Sequence, residues 1–249
     1  MATLPGTTGR RRLYLMRHGF VDYTSKTVVE SQDPSLAYLT PSGRDEARAA
    51  GLALKDIHFD LALSSGLRRT RETAEIVLSE HPYDLELEDE PRFAELRSGR
   101  YIDFESAEQL AATMTFQFEK AGEPGATFLE GGEAFADALE RVATGVRALL
   151  ARPAWHTALL VAHEGINRIL LSWAIGAPLG TSACFEQDTG CINIIDFDLV
   201  PSGRGEGAEI ERSLIKAVNL TPANYLKNGM NLRSLESIFT RAREENAGT

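Results

Sequence analysis

The sequence predicts an α/β fold in three layers: an open, mostly parallel sheet with helices on both faces and an inserted helical cap. Three observations predict it. Short, fully apolar runs recur at 13–16, 61–63 and 158–162, and read as strands buried on both faces. Segments with apolar residues at helical spacing alternate with these runs, the pattern of strand-helix units around a parallel sheet. Each run also ends in a short polar turn.

The first run, Leu13-Tyr14-Leu15-Met16, passes directly into Arg17-His18-Gly19. Residues 20–35 are polar and turn-rich, close on Asp33-Pro34, and predict a loop at the mouth of a site. A helix then opens with Thr40 as N-cap and Pro41 at its first position, its apolar face traced by Ala47, Ala50, Gly51 and Leu54. The second strand ends in Ser64-Ser65-Gly66, and the next helix repeats Leu67, Thr70, Ala74, Val77 and Leu78. Arg68, Arg69 and Arg71 crowd its first turn. Cations there are disfavoured by a few tenths of a kcal/mol each unless an anion binds, and Glu72 and Glu75 are placed to compensate Arg68 and Arg71, which leaves Arg69 for the anion.

Residues 85–87 predict a short third strand. Residues 104–118 carry Ala107, Leu110, Ala111, Met114 and Phe118 at helical spacing outside the alternation, hence the cap, an insertion over about 100–130. A long helix over 133–150 precedes the fourth strand, 158–162, which runs into His163-Glu164-Gly165 and a helix with Ile166, Ile169, Leu170 and Trp173 on one face. Beyond it, 182–186 and 191–199 read as a hairpin around Asp188-Thr189-Gly190, 210–218 as partly strand, and Leu232, Leu235, Ile238 and Phe239 as a final surface helix. No repeat or linker divides the 249 residues, so one domain is expected over 1–249.

Composition narrows the function. With 43% hydrophobic and 25% charged residues the chain is ordinary for a globular protein, and its net charge of −10 disfavours nucleic acid and anionic membrane. An anionic substrate therefore needs a locally basic pocket. No apolar run is long enough to span a bilayer, and Arg10-Arg11-Arg12, read as a solvated edge before the first strand, lacks an apolar segment of the secretory kind after it. Two cysteines, Cys184 and Cys191, both in strand-like runs, read as buried sheet residues in a reducing, cytoplasmic setting. His58, His81 and His156 stand in polar loop contexts without metal-ligand spacing and read as surface residues.

In such sheets ligands sit beyond the carboxyl ends of the strands, where helix N-termini point. Arg17-His18, Arg68-Arg69 and His163 are expected to meet there. An imidazole nitrogen can attack phosphorus, a guanidinium forks onto phosphoryl oxygens, and Gly19 lets the backbone approach an anion.

In this order, Arg17-His18-Gly19, Leu39-Thr40 with Gly43 and Glu46-Ala47, Ser64-Ser65-x-Leu67-x-Arg69 with Thr73-Ala74, Glu95 with Gly99, Gly132-Glu133, and His163 with Gly165 resemble the histidine phosphatase superfamily, which includes the cofactor-dependent phosphoglycerate mutases. The resemblance spans roughly 150 residues. It implies that His18 is the nucleophile and forms a phosphohistidine, that Arg17, Arg69 and His163 hold the phosphoryl group, and that Glu95 is the general acid that later activates water. Two guanidiniums and an imidazole neutralise the equatorial oxygens without a metal, so neither metal nor cofactor is expected. The two cations also oppose protonation of His18.

The chain departs from the family pattern in three places. Phe20 and Thr24 replace an acidic or amide residue and an asparagine, and Thr24 can still offer phosphate one hydrogen bond. Glu164 replaces a small residue, and is expected to line the pocket. The altered loop argues against a phosphoglycerate mutase, while Phe20, Tyr23, Tyr101 and Phe104 suggest an apolar mouth for a larger or less charged ester. The expectation is a cytoplasmic, metal-independent phosphomonoesterase for a small-molecule phosphate ester. The alternatives are a phosphoglycerate-type phosphomutase and a scaffold that binds phospho-ligands without turnover. A homodimer is compatible with the sequence, and no nucleic-acid or membrane partner is expected.

Overall fold

A computed structural model describes residues 9–23, 25–31, 33–99, 107–202 and 208–224. Six strands, β1 (Gly9–Arg17), β2 (Leu61–Ser64), β3 (Leu87–Asp89), β4 (Thr157–Ala162), β5 (Ile192–Pro201) and β6 (Ala208–Leu220), form one sheet. Their order is β3-β2-β4-β1-β5-β6. The first four in that order run parallel, and β5 is antiparallel to both β1 and β6.

The helices are α1 (Lys26–Ser31), α2 (Pro41–Leu54), α3 (Arg68–Ser79), α4 (Ala107–Gln117), α5 (Phe135–Ala151) and α6 (Glu164–Ala174). Strand alternation sorts the side chains into two cores, as the pleat requires. Tyr14, Met16, Ala62, Leu159 and Val161 pack with Ala50 and Leu54 of α2 and Ala74 and Val77 of α3. Their sequence neighbours Leu13, Leu15, Leu61, Leu63, Ala158, Leu160 and Ala162 pack with α5 and α6 on the opposite face. Three layers follow from that sorting.

Several boundaries fall where local chemistry is specific. Thr40 Oγ1 accepts the Gly43 amide at 3.1 Å and Pro41 opens α2, as read from the sequence. The loop over 20–35 holds the short α1 and a 3-10 turn at Pro34–Leu36. The third strand lies two residues later than expected, at 87–89. Met114 of α4 packs against the core, and Phe118 just after it is buried there.

Four readings are corrected. Arg10-Arg11-Arg12 is part of β1, because Arg10 and Arg12 stand opposite Asp198 and Asp196 of β5 and pair with them at 2.7 and 2.6 Å. The hairpin is β5 with β6; Leu179–Cys184 is a 3-10 turn whose Ser182 and Ala183 carbonyls accept from Arg168. Cys184 is consequently exposed, while Cys191 is buried as expected, its thiol pushed up to about 12 by that burial. His81 is buried as well, between Phe59 and Tyr83, and burial lowers its pKa. The final helix expected around 232–239 lies outside the described residues.

No described helix is long and apolar enough to cross a membrane.

Candidate active site

At the carboxyl ends of β1, β2 and β4, residues far apart in sequence converge. Arg17 ends β1 and His18 follows it; Ser65 follows β2; Arg69 lies in the first turn of α3; His163 caps α6 directly after β4. All are buried. The His18 and His163 ring centroids are 5.2 Å apart.

The hydrogen bonds of His18 fix its tautomer. Its Nδ1 lies 2.8 Å from the Gly19 carbonyl, which can only accept, so Nδ1 carries the proton. Arg69 Nε, which can only donate, points at Nε2 from 3.3 Å, so Nε2 presents a lone pair. Burial, then Arg69 and Arg17, push the His18 pKa well below 6.5 and keep the ring neutral. Gly19 also matters for packing. A Cβ on it would sit 2.2 Å from the Gly43 carbonyl oxygen, so the glycine admits the first turn of α2 against the His18 loop.

Arg17 is held from one side. Its Nη1 contacts Glu164 Oε2 at 2.7 Å and donates to the Gln187 carbonyl, while Nε is buried without a partner among the described residues. Glu164, the unexpected carboxylate after His163, is thus the counter-ion of Arg17, and its other oxygen binds Arg168 at 2.7 Å. Arg69 also donates to the Pro34 carbonyl at 3.2 Å, so the loop over 33–36 shares in aiming it. Of its neighbours, Arg68 stacks on Tyr38 at 3.9 Å and Arg71 pairs with Asp89 at 2.6 Å and with Glu75 at 3.9 Å. Glu72 serves Arg44, not Arg68.

Glu95 reaches the same place from the other core face. Its carboxylate accepts the amides of Leu96 at 3.0 Å and of Gly165, two residues past His163, at 3.3 Å. Burial raises its pKa above the usual carboxylate range, against those two amides and Arg69. A Cβ at Gly165 would meet Leu96 Cδ1 at 2.7 Å and Glu95 Oε1 at 2.8 Å, so a side chain here would shift both. A pocket of about 300 Å³ lies elsewhere, behind α2, and one of about 270 Å³ opens beside Glu95, lined by Pro91, Arg97, Glu133 and Arg141.

The mouth differs from expectation. Phe20 is fully buried in the core and walls no opening. Tyr23 lies under the Arg69 guanidinium, 5.9 Å from it. Thr24, Tyr101 and Phe104 lie outside the described residues. Among the described residues no group of three or more His, Cys, Asp or Glu is arranged to hold a metal ion.

Sequence reasoning missed a brace around Glu95. Arg141 of α5 pairs with Glu133 through two bonds of 3.0 Å and donates to the Arg92 and Ala94 carbonyls, while Glu133 accepts the Arg97 amide. Nothing in the periodicity of α5 singles out Arg141; Glu133 stood in the motif set without a role.

The family model of the histidine phosphatase superfamily (branch 1) matches residues 13–200. The chain belongs to this superfamily. Among curated members, the adenosylcobalamin/alpha-ribazole phosphatase of Escherichia coli K12 is 28% identical over 192 residues, 75% of this chain and 90% of that one. The 2,3-bisphosphoglycerate-dependent phosphoglycerate mutase of Bartonella henselae is 39% identical over 93 residues only, 36% of this chain and 44% of its own. Among solved histidine phosphatase-like structures, a mycobacterial glucosyl-3-phosphoglycerate phosphatase superposes with a TM-score of 0.64 at 24% identity, covering 84% of this chain and 99% of that one, and so shares the fold.

Proposed function

We propose that this histidine phosphatase is a metal-independent phosphomonoesterase of the cytoplasm that hydrolyses a small-molecule phosphate ester through a phosphohistidine on His18, with 1–249 forming one domain capped near 100–130. The observation that carries the reading is the unprotonated Nε2 of His18 facing the Arg69 guanidinium, with Nδ1–H tied to the Gly19 carbonyl. Phosphatases of small esters among the relatives, α-ribazole phosphatase of Escherichia coli included, support the substrate class.

The reaction follows from these positions. His18 Nε2 attacks phosphorus, forming the N–P bond as the ester P–O bond breaks. Arg17 and Arg69 spread the charge of the equatorial oxygens, with His163 as a further contact. Glu95, its pKa raised by burial, donates its proton to the leaving oxygen. As a carboxylate it then takes a proton from water, which attacks phosphohistidine and releases phosphate. Thr24 is assigned a supporting hydrogen bond to phosphate on the resemblance alone.

The test is hydrolysis of a generic aryl phosphate with chelator present, alongside interconversion of phosphoglycerates. Steady release of phosphate, lost in His18→Ala, supports the phosphatase. Interconversion without net release favours a mutase, and saturable binding without turnover a scaffold.

A further inference from the structure

Three hydrogen bonds behind His163 have a fixed direction. Thr70 Oγ1 lies 2.7 Å from the Leu67 carbonyl, which only accepts, so the threonine hydroxyl donates there. Thr70 Oγ1 must then accept from Ser65 Oγ, 2.9 Å away, since two hydroxyl oxygens at that distance repel without a proton between them. Ser65, its proton spent, accepts from His163 Nε2 at 2.7 Å. His163 therefore keeps its proton on Nε2, and its one remaining polar atom, Nδ1, is a buried lone pair without a partner among the described residues.

We propose that Ser65 and Thr70 are positioning residues that lock His163 as the Nε2–H tautomer, so that a phosphoryl dianion enters the site only together with one proton, shared between a phosphoryl oxygen and His163 Nδ1. This rests on His163 being a phosphate contact. A bare lone pair at Nδ1 faces a phosphoryl oxygen as acceptor against acceptor; a proton between them turns repulsion into a charge-assisted hydrogen bond. The proton comes from solution and no other bond changes. From every element packed around it, charged groups bear on this ring: Arg69 of α3, Arg17 of β1, Arg141 of α5 and the His18 ring oppose its protonation, and Glu95 and Glu164 stand at the start of α6. Burial and these cations hold free His163 neutral, which leaves the incoming anion to bring the proton.

Thr70→Val removes the lock while keeping the shape. The Leu67 carbonyl still accepts the Thr70 and Arg71 amides at 3.0 Å, and the Ser65 hydroxyl, released from Thr70, turns to donate to Nε2. His163 then carries its proton on Nδ1, ready for a dianion. The probe is inorganic phosphate, a dianion above about pH 8, bound to the full chain and followed by calorimetry in two buffers of different ionisation enthalpy. The Glu95→Gln background removes one competing proton acceptor; the other, the His18 Nε2 lone pair, is the same in parent and unlocked variants, so uptake there registers as unchanged uptake. With the lock intact, one proton is taken up per phosphate, and affinity falls about tenfold for each pH unit from 8 to 9. Thr70→Val, and Ser65→Ala as a second variant, take up close to none and hold their affinity over that range, while Thr70→Ser behaves as the parent. Phosphate binding without proton uptake in the parent, or unchanged uptake in both unlocked variants, overturns the proposal. Failure of phosphate to bind any variant overturns the phosphatase reading instead.

Discussion

At His18 two neighbours of opposite polarity, a carbonyl at Nδ1 and a guanidinium at Nε2, leave one nitrogen unprotonated, the one proposed as nucleophile. Burial, then the same guanidinium and Arg17, keep that nitrogen unprotonated. Attack needs the neutral ring, so kcat/KM for an aryl phosphate is expected to persist below pH 6.5 and to fall only where His18 finally protonates; an acid limb at or above 6.5 contradicts the electrostatic account. Glu95 works in the opposite sense. It must be protonated to donate, and its raised pKa extends that form upward from the acid side. Glu95→Gln is expected to lower kcat/KM, which reports phosphoryl transfer to His18 and not the later hydrolysis, by roughly 10²–10⁴-fold for alkyl phosphates and far less for aryl esters with good leaving groups. Equal losses would remove Glu95 from the acid role. His18 was legible because it follows a strand end, and Glu95 only through the family motif it shares with Gly99. The tautomers were not, since they depend on a carbonyl and hydroxyls that share no pattern with the ring.

The elements place these groups through polar braces as well as apolar faces. Residues 92–97, an irregular stretch, are gripped by Arg141 and Glu133 at three points, and Glu95 sits in the middle. Arg141→Met is expected to cost about 10²-fold in kcat/KM on alkyl phosphates and much less on aryl ones, because it displaces the acid and leaves the nucleophile alone; matched losses in kcat/KM on both esters would make the brace merely structural. On the other side of the sheet, Arg10, and with it Arg212, holds the Asp198 carboxyl down to about 2 against the opposing pull of burial. Because the folded value lies below the ordinary 3.8 of an aspartate, this bond stabilises the β1-β5-β6 edge at neutral pH. Its contribution fades as pH falls below about 4 towards 2. Asp198→Asn should lose about 2 kcal/mol at pH 7 in urea titration, and the difference from wild type should shrink in acid. Helix α2 was readable from Thr40 and Pro41, whereas the basic start of β1 and the β5-β6 hairpin were not. Arg-rich and Asp-containing strands look solvated until their partners, 184 and more positions away, are known.

Over the whole molecule, one arrangement makes the site. β4 lies between β2 and β1, so the three strand ends that carry His163, Ser65 and Arg17 are adjacent, and α3 and α6 start where those strands stop. Alternation of apolar strands and helices foretold this gathering on one edge. The surroundings of the mouth were less legible: Phe20 follows Gly19 as though at a rim, but the tight turn against Gly43 carries it into the core. The most direct measurement of the central claim is acid-quenched turnover of a radiolabelled aryl phosphate, with the labelled peptide mapped under conditions that preserve phosphoramidates. The label is expected on His18, transient in the wild-type chain, longer-lived in Glu95→Gln and absent in His18→Ala. Turnover that leaves no label on His18, or that survives in His18→Ala, contradicts it.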